Sequence, residues 1–168
     1  MARLARPLAD IQLPATVQAV LTARIDRLPA AEKALLQTLA VIGKTFAWSL
    51  LARVVAQPEE ELLGRLAHLR AAEFLYEQPA FPESEYTFKH ALTQEVAYTS
   101  LLLERRQALH ERTAQAIEAL YADRLAEHYE ALAHHYSRSG NTPKAVDYLQ
   151  RAGNRRRSGP CWRRRSPT

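Results

Sequence analysis

Cysteine and long apolar runs are both scarce in this sequence, and each absence excludes a class of protein. Cys161 is the only cysteine, which excludes an internal disulfide and argues against a thiolate metal cluster. No apolar run reaches about 18 residues, so no segment is expected to span a membrane. The N-terminal stretch MARLARPLADIQLP is too short and too interrupted for the apolar region of a secretory signal. We therefore expect a cytoplasmic protein.

Acidic residues are absent from residues 151–168, which hold seven arginines. The whole chain has 23 Lys and Arg residues and 18 Asp and Glu residues. Setting those seven arginines aside leaves 16 basic and 18 acidic groups in residues 1–150, a net charge of −2. The basic character therefore belongs to the C-terminal end, which weakens a nucleic-acid role inferred from the high pI. We predict that residues 154–168 form a disordered basic tail.

Leu and Ala dominate the hydrophobic fraction of 47%, a composition that favours helices. Pro14 suits the first position of a helix, and Gly43 suits the end of another. Apolar residues at helical spacing predict four helices. Their apolar faces are Val17, Leu21, Ile25 and Leu28; Leu35, Leu36, Leu39 and Ile42; Leu50, Leu51, Val54 and Val55; and Leu62, Leu63, Leu66 and Leu69.

The hydrophobic period changes from helical to alternating after the fourth helix. Phe74 and Tyr76 alternate with polar neighbours, as do Tyr86 and Phe88, around a loop that contains Pro79 and Pro82. This pattern predicts a β-hairpin. Helices followed by a hairpin are typical of a winged helix, so residues 13–103 are predicted to form a winged-helix-like module after an N-terminal tail, 1–12.

Two further helices are predicted near 90–103 and 104–121, before a helical pair that turns at Gly140 and Asn141. Small Ala at the crossing and Tyr at the flanks is the spacing of a tetratricopeptide repeat. The faces of the pair are Leu125, Tyr129, Leu132 and Tyr136, then Ala145, Tyr148, Leu149 and Ala152. Residues 104–153 are thus predicted as a helical region with one such repeat, which either caps the preceding helices or is what remains of a longer array.

Three motif searches point away from a catalytic or metal site. Gly43-Lys44-Thr45 ends like a phosphate loop, but position 38 is Thr instead of Gly and the tripeptide follows a helix. The histidines lack metal-ligand spacing: His128 and His134 are six positions apart, on different faces of a helix, and His110 has no second His four positions further on. No nucleophile motif occurs, and Cys161 falls in the predicted tail. We assign no catalytic residue and no metal ligand.

Several stretches together resemble the segment that follows the nucleotide-binding core in bacterial STAND-type AAA+ ATPases, signalling proteins often associated with adenylate/guanylate cyclase domains. The resemblance covers most of residues 11–153, and FKHALTQEVAY is its most distinctive part. The matching stretches are LPATVQAVLTARIDRLP, LLQTLAVIGKTF, LRAAEFLYEQ, YTFKHALTQEVAYTSLL and RLAEHYEALAHHYSRSGNTPKAVDYLQRAG.

The resemblance implies a role for His90, because relatives use a histidine at the end of the winged helix to face the nucleotide phosphates. His90 stands in the matching Phe-Lys-His, and Lys89 adds positive charge beside it. Plant-type members follow this His with Asp, whereas Ala91 stands here. The alternative is a histidine at a helix start, satisfied by the local backbone.

The resemblance also implies what the whole protein uses. ATP or ADP is the cofactor of full-length relatives, whereas no cofactor is expected in this chain, whose sequence holds no phosphate loop. The ATPase core is the expected partner in cis. A protein or peptide is expected on the helical repeat, with Tyr129, His135, Tyr136 and Tyr148 as candidate contact residues. No membrane partner is expected.

The main hypothesis is therefore a non-catalytic regulatory and protein-interaction fragment of a signalling ATPase. A first alternative is a DNA-binding winged-helix regulator, but the helix it would use begins with Glu59, Glu60 and Glu61, which repel phosphates. A second is an ATP-binding or adenylate cyclase activity, favoured only by what relatives do.

Overall fold

The computed structural model describes residues 15–157. The predicted tail 1–12 and residues 158–168 lie outside the described residues. The described chain is mainly helical and includes one small antiparallel sheet. Its helices are α1 (Ala15–Asp26), α2 (Ala30–Ile42), α3 (Trp48–Val55), α4 (Glu59–Ala71), α5 (Ala91–Thr99), α6 (Leu103–Leu120), α7 (Tyr129–Ser139) and α8 (Thr142–Arg157). Its strands are β1 (Thr45–Ala47), β2 (Leu75–Gln78) and β3 (Glu85–Phe88), and a 3₁₀ segment, Ala122–His128, joins α6 to α7.

The predicted hairpin is present, and β1 completes a sheet of order β1-β3-β2. The strand β1 was not predicted, because three residues are too few to show an alternating period. It pairs antiparallel with β3, with Phe46 opposite Tyr86. The ring of Phe46 stacks on Tyr86 and meets Phe88 edge to face, each at 6.3 Å between centroids. These ring pairs join β1 to β3 within the first core, because aromatic pairs stabilise beyond the surface they bury.

Gly43, Lys44 and Thr45 link α2 to β1. Gly43 ends the helix with a φ of 152°, a conformation that favours glycine, and its N–H donates to the Leu39 carbonyl. Lys44 is exposed. The tripeptide thus leads from a helix into a strand, the reverse of the order that a phosphate loop requires.

Two groups of buried side chains hold the helices together. The first core collects side chains from α1 to α5 and the sheet, including Leu36, Leu51 and Leu69, none of which is exposed. The second core lies among α6, α7 and α8 and consists of Ala114, Ile117, Leu132, Ala133, Tyr136, Ala145 and Tyr148. Helix α6 contributes to both, since Ala116 belongs to the first core. The predicted boundary at 103/104 therefore falls one residue inside α6, the helix that joins the two cores.

Three predicted core positions are exposed instead: Val17, Leu63 and Leu149. Leu63 and Leu149 each follow a buried residue, Leu62 and Tyr148, and one residue turns a helix by about 100° away from the packed face. Val17 lies one turn before Leu21, where the buried part of α1 begins. These side chains are therefore not part of either core.

The helical pair is present as α7 and α8, and Gly140 makes the turn with a φ of 84°. Helix α8 continues to Arg157, so the prediction of disorder from residue 154 is wrong for 154–157. The arginines there extend the helix because they are good helix formers. Arg156 contacts Glu130 on α7, with Nη2 and Oε1 2.8 Å apart.

Candidate functional site

His90, the predicted phosphate sensor, stands immediately before α5. Its backbone is extended, with φ −133° and ψ 133°, and its carbonyl accepts a hydrogen bond from the Thr93 N–H at 3.0 Å. The side chain is exposed and caps no backbone N–H of α5. The imidazole is therefore open to solvent at the positive end of the α5 dipole, a position that suits an anion.

Lys89, its predicted companion, is held by an ion pair. Lys89 Nζ lies 2.8 Å from Glu73 Oε1 on the turn after α4. The Lys89 ammonium lowers the pKa of the Glu73 carboxyl, first through this hydrogen bond and then through its charge. Both side chains are exposed, so the pair is weak. A phosphate that recruited Lys89 would compete with Glu73 for it.

A cleft of about 400 Å³ lies along α5 and begins at Ala91, the residue after His90. We call it the α5 cleft. One face of α5 forms its wall, and the end of α2 forms another. Its lining residues are Ala40, Val41, Ile42, Gly43, Ala91, Gln94, Glu95, Tyr98, His110, His134 and Arg138. The cleft therefore runs from the start of α5 to the junction of the two cores.

At that junction lies a buried histidine pair, His110 on α6 and His135 on α7. Their exposed fractions are 1% and 4%. The two Nδ1 atoms are 2.9 Å apart, and His110 Nε2 is 2.9 Å from the Tyr98 hydroxyl. Because a hydrogen bond between two Nδ1 atoms needs one donor and one acceptor, the two rings carry one shared Nδ1 proton. If His110 supplies it, Tyr98 donates to Nε2; if His135 supplies it, His110 donates to Tyr98.

Both histidines are neutral near pH 7. Burial, with smaller contributions from the nearby His134, Arg138 and Arg106, lowers the pKa of His110 to about 4. Burial lowers the pKa of His135 to about 3, with contributions from His110, His134 and Arg138. Protonation of either ring would place a positive charge in a buried site, near other basic side chains, and is therefore unfavourable.

This pair joins elements that otherwise belong to different cores. Tyr98 packs on the first core from α5, and His135 lies on α7 beside the second core. We call Tyr98, His110 and His135 the histidine joint. Sequence reasoning missed His110, because it tested that residue only as part of a zinc motif. Its spacing from Thr113 and Ile117, three and seven residues, would have placed it on the buried face of α6.

The four predicted partner contacts do not form an open surface. Tyr136 has no exposed area, and His135 and Tyr148 are buried at 4% and 6%; only Tyr129 is half-buried. The rings of Tyr136 and Tyr148 stack at 5.6 Å between centroids with 3° between their planes. The assignment of His135, Tyr136 and Tyr148 as contacts is therefore wrong, because the α7–α8 pair turns that face to α6.

Glu118 on α6 anchors the same rings. It accepts hydrogen bonds from the Tyr148 hydroxyl at 2.6 Å and from Lys144 Nζ at 2.9 Å, while Lys144 also donates to the Tyr136 hydroxyl. Burial raises the pKa of Glu118, but the hydrogen bonds from Tyr148 and Lys144 outweigh it and leave the pKa below its ordinary value. This carboxylate therefore ties α8 to α6 through charge-assisted bonds.

Within residues 15–157, no group of three or more His, Cys, Asp or Glu side chains could hold a metal ion. No helix of the described chain is long and apolar enough to cross a membrane. Comparison of the chain with protein-family models, curated proteins and solved structures finds no match.

Proposed function

We propose that this chain is a non-catalytic regulatory and protein-interaction segment of a bacterial STAND-type signalling ATPase. In this role it docks on a nucleotide-binding core, responds to the nucleotide bound there and passes the response to a helical repeat. ATP and ADP belong to that core, which is the partner in cis. This chain contributes the histidine that faces the phosphates and the helices that respond.

Two features of the fold support the proposal. The order α2-β1-α3-α4-β2-β3, with a sheet of order β1-β3-β2, is consistent with a winged helix. The antiparallel pair α7 and α8, with alanines Ala133 and Ala145 in the core between them, is consistent with one tetratricopeptide-type repeat. Both features agree with the family that the sequence resembles.

The observation that carries the proposal is the continuity between His90 and the histidine joint. His90 precedes α5, and Tyr98 on the same helix contacts His110. A helix of nine residues is stiff, because each of its turns is hydrogen-bonded. Movement of His90 toward or away from a phosphate therefore shifts Tyr98, and with it the contact to His110 and His135.

The histidine joint is suited to such a response because few arrangements of its side chains keep all of their hydrogen bonds. Tyr98, His110 and His135 are hydrogen-bonded in series, and a displaced member would leave a buried polar group without a partner. Such a loss costs about 1–3 kcal/mol. The link from α5 through His110 on α6 to α7 is therefore expected to switch between discrete arrangements, since small displacements are penalised.

The DNA-binding alternative has less support. In a winged helix the helix before the hairpin enters the major groove, and here that helix is α4. Its first turn carries Glu59, Glu60 and Glu61, and all three are exposed. Three carboxylates at this end of the helix would face phosphates of like charge.

The phosphate-sensing role can be tested in a chimera in which residues 13–157 replace the corresponding segment of a bacterial STAND-type ATPase. We expect His90→Ala to speed the release of a fluorescent ADP analogue by about tenfold, because a hydrogen bond to a charged group is worth roughly 1.5–3 kcal/mol. Stopped-flow fluorescence measures this rate.

His68→Gln is the matched control. His68 is exposed on α4, where its Nδ1 lies 2.6 Å from Glu32 Oε1, and glutamine can keep that hydrogen bond. Its ADP release should equal that of the parent chimera. Equal release rates for His90→Ala and the parent would contradict the sensing role.

A further inference from the structure

A second cleft, of about 390 Å³, lies on the opposite side of α6 from the second core's helical pair, between α2, α3 and α6. We call it the arginine cleft. Three arginines line it: Arg65 from α4, and Arg105 and Arg112 from α6. The rest of its lining is Ala31, Ala34, Leu35, Thr38, Val54, Val55, Gln57 and Leu109. It has no part in the proposed nucleotide relay.

The charge of the arginine cleft is not balanced from within. Among the described residues, no Asp or Glu lines it. Arg65 is 3.2 Å from Glu61 Oε2, which lies outside the lining, and Arg112 donates to the Val55 carbonyl at 3.3 Å. The Arg105 side chain is exposed and makes no hydrogen bond or ion pair with any described residue. Three like charges around one cavity repel one another, and an anion between them would remove that repulsion.

The walls between the arginines are apolar. Leu35 and Val54 are buried, and Val55 and Leu109 are half-buried. A volume of this size falls at the lower end of the range for small-molecule sites, which combine apolar walls with a few polar groups that fix orientation. Guanidinium groups bind carboxylate and phosphate oxygens with two parallel hydrogen bonds. The geometry thus suits a compact apolar body that carries one oxyanion.

We infer that the arginine cleft binds a small organic anion, a phosphate monoester or a carboxylate attached to a compact apolar group. Arg105 and Arg112 hold the oxyanion, and Leu35, Val54 and Leu109 contact the apolar body. Because the lining comes from α2, α3, α4, α6 and the α3–α4 link, such a ligand bridges α6 to the sheet-bearing half of the fold.

Three probes with the same ring separate charge from apolar contact: 2-naphthyl phosphate, 2-naphthoate and neutral 2-naphthol. Isothermal titration of the full chain should show at least one of the two anions binding about tenfold or more tighter than 2-naphthol. The tighter anion identifies the phosphate or the carboxylate as the preferred group. Methyl NMR shifts of Leu109 and Val55 should report binding at this cleft.

Arg105→Gln should weaken the preferred anion by about tenfold, as expected for the loss of a charge-assisted hydrogen bond. It should fold normally, because Arg105 contacts no partner among the described residues. Arg53→Gln is the matched control: Arg53 is exposed on α3, outside the lining of the cleft, and its change should leave the affinity within about twofold.

Two results would overturn this assignment. Equal affinity for 2-naphthol and both anions would show that only apolar contact occurs. The assignment would also fail if Arg105→Gln and Arg53→Gln weakened the affinity for the anion equally, or if neither weakened it. Either result would show that the general positive charge of the chain, including the arginines at 163–165, attracts the probe.

Discussion

Replacement of Tyr136 by alanine lowers the free energy of unfolding by about 4 kcal/mol. Tyr136 has no exposed area and stacks on Tyr148. Truncation of a large buried aromatic side chain costs about 3–5 kcal/mol, because the transferred surface is lost and a cavity remains. The change also removes the hydroxyl that accepts from Lys144. Urea denaturation followed by circular dichroism measures the loss.

Two substitutions serve as controls for this result. Tyr136→Phe keeps the ring and removes one hydrogen bond, so we expect a loss of about 1 kcal/mol. Tyr76→Ala removes a ring on β2 from a residue that is 40% exposed. It should therefore lower the free energy of unfolding by less than Tyr136→Ala does. If Tyr136→Ala cost less than about 1 kcal/mol, Tyr136 could not occupy the buried position between α6 and α8.

Acid should destabilise the chain in a range set by the histidine joint. The pKa values of His110 and His135, about 4 and about 3, lie below the ordinary value of 6.5. As the pH falls, these two histidines therefore bind protons in the unfolded chain before they do so in the folded chain. The stability that the neutral pair contributes above pH 6.5 is lost as the pH falls from 6.5 toward their folded-state pKa values. At about pH 5, each histidine is expected to lower the free energy of unfolding by roughly 2 kcal/mol relative to its value at pH 7.5. Urea midpoints at about pH 7.5 and pH 5 measure it.

A double variant, His110→Phe with His135→Leu, isolates the source of this pH dependence. The double variant should be less stable than the parent chain at pH 7.5. The change in its free energy of unfolding between pH 7.5 and pH 5 should be less than half of the parent's change. His128→Gln should keep most of the parent's dependence, because His128 is only half-buried. Hydrogen bonds from Tyr148 and Lys144 hold the pKa of Glu118 below its ordinary value, so Glu118 contributes little to the difference between pH 7.5 and pH 5. An unchanged pH dependence in the double variant would contradict the buried neutral pair.

The helices and the hairpin could be predicted because their signals are local. Leu35, Leu36 and Leu39 repeat at helical spacing and are buried in α2, and Gly43 ends that helix as predicted. Such patterns depend on the chain direction and the side-chain period alone. The strand β1 has no comparable signal. It exists because Thr45–Ala47 pairs with β3, about forty residues further along the chain.

The site was less predictable because its chemistry depends on packing between distant helices. His110 and His135 lie 25 residues apart, and no spacing rule connects them. Likewise, the tyrosines of the helical pair were predicted as partner contacts because their spacing matches a repeat groove. The spacing alone could not show that α6 packs on this face of the α7–α8 pair and buries it. His90 is the exception: its place at the start of α5 followed from the sequence, and its role stays a prediction.

In the proposed function, the nucleotide state reaches the helical repeat through α5 and the histidine joint. Amide hydrogen exchange of α7, residues 129–139, in the ATPase chimera with ADP and with a non-hydrolysable ATP analogue tests it most directly. We predict that protection of α7 differs between the two nucleotides and that His110→Phe removes most of the difference. The same α7 exchange with both nucleotides, in a chimera whose core binds both, would contradict the claim.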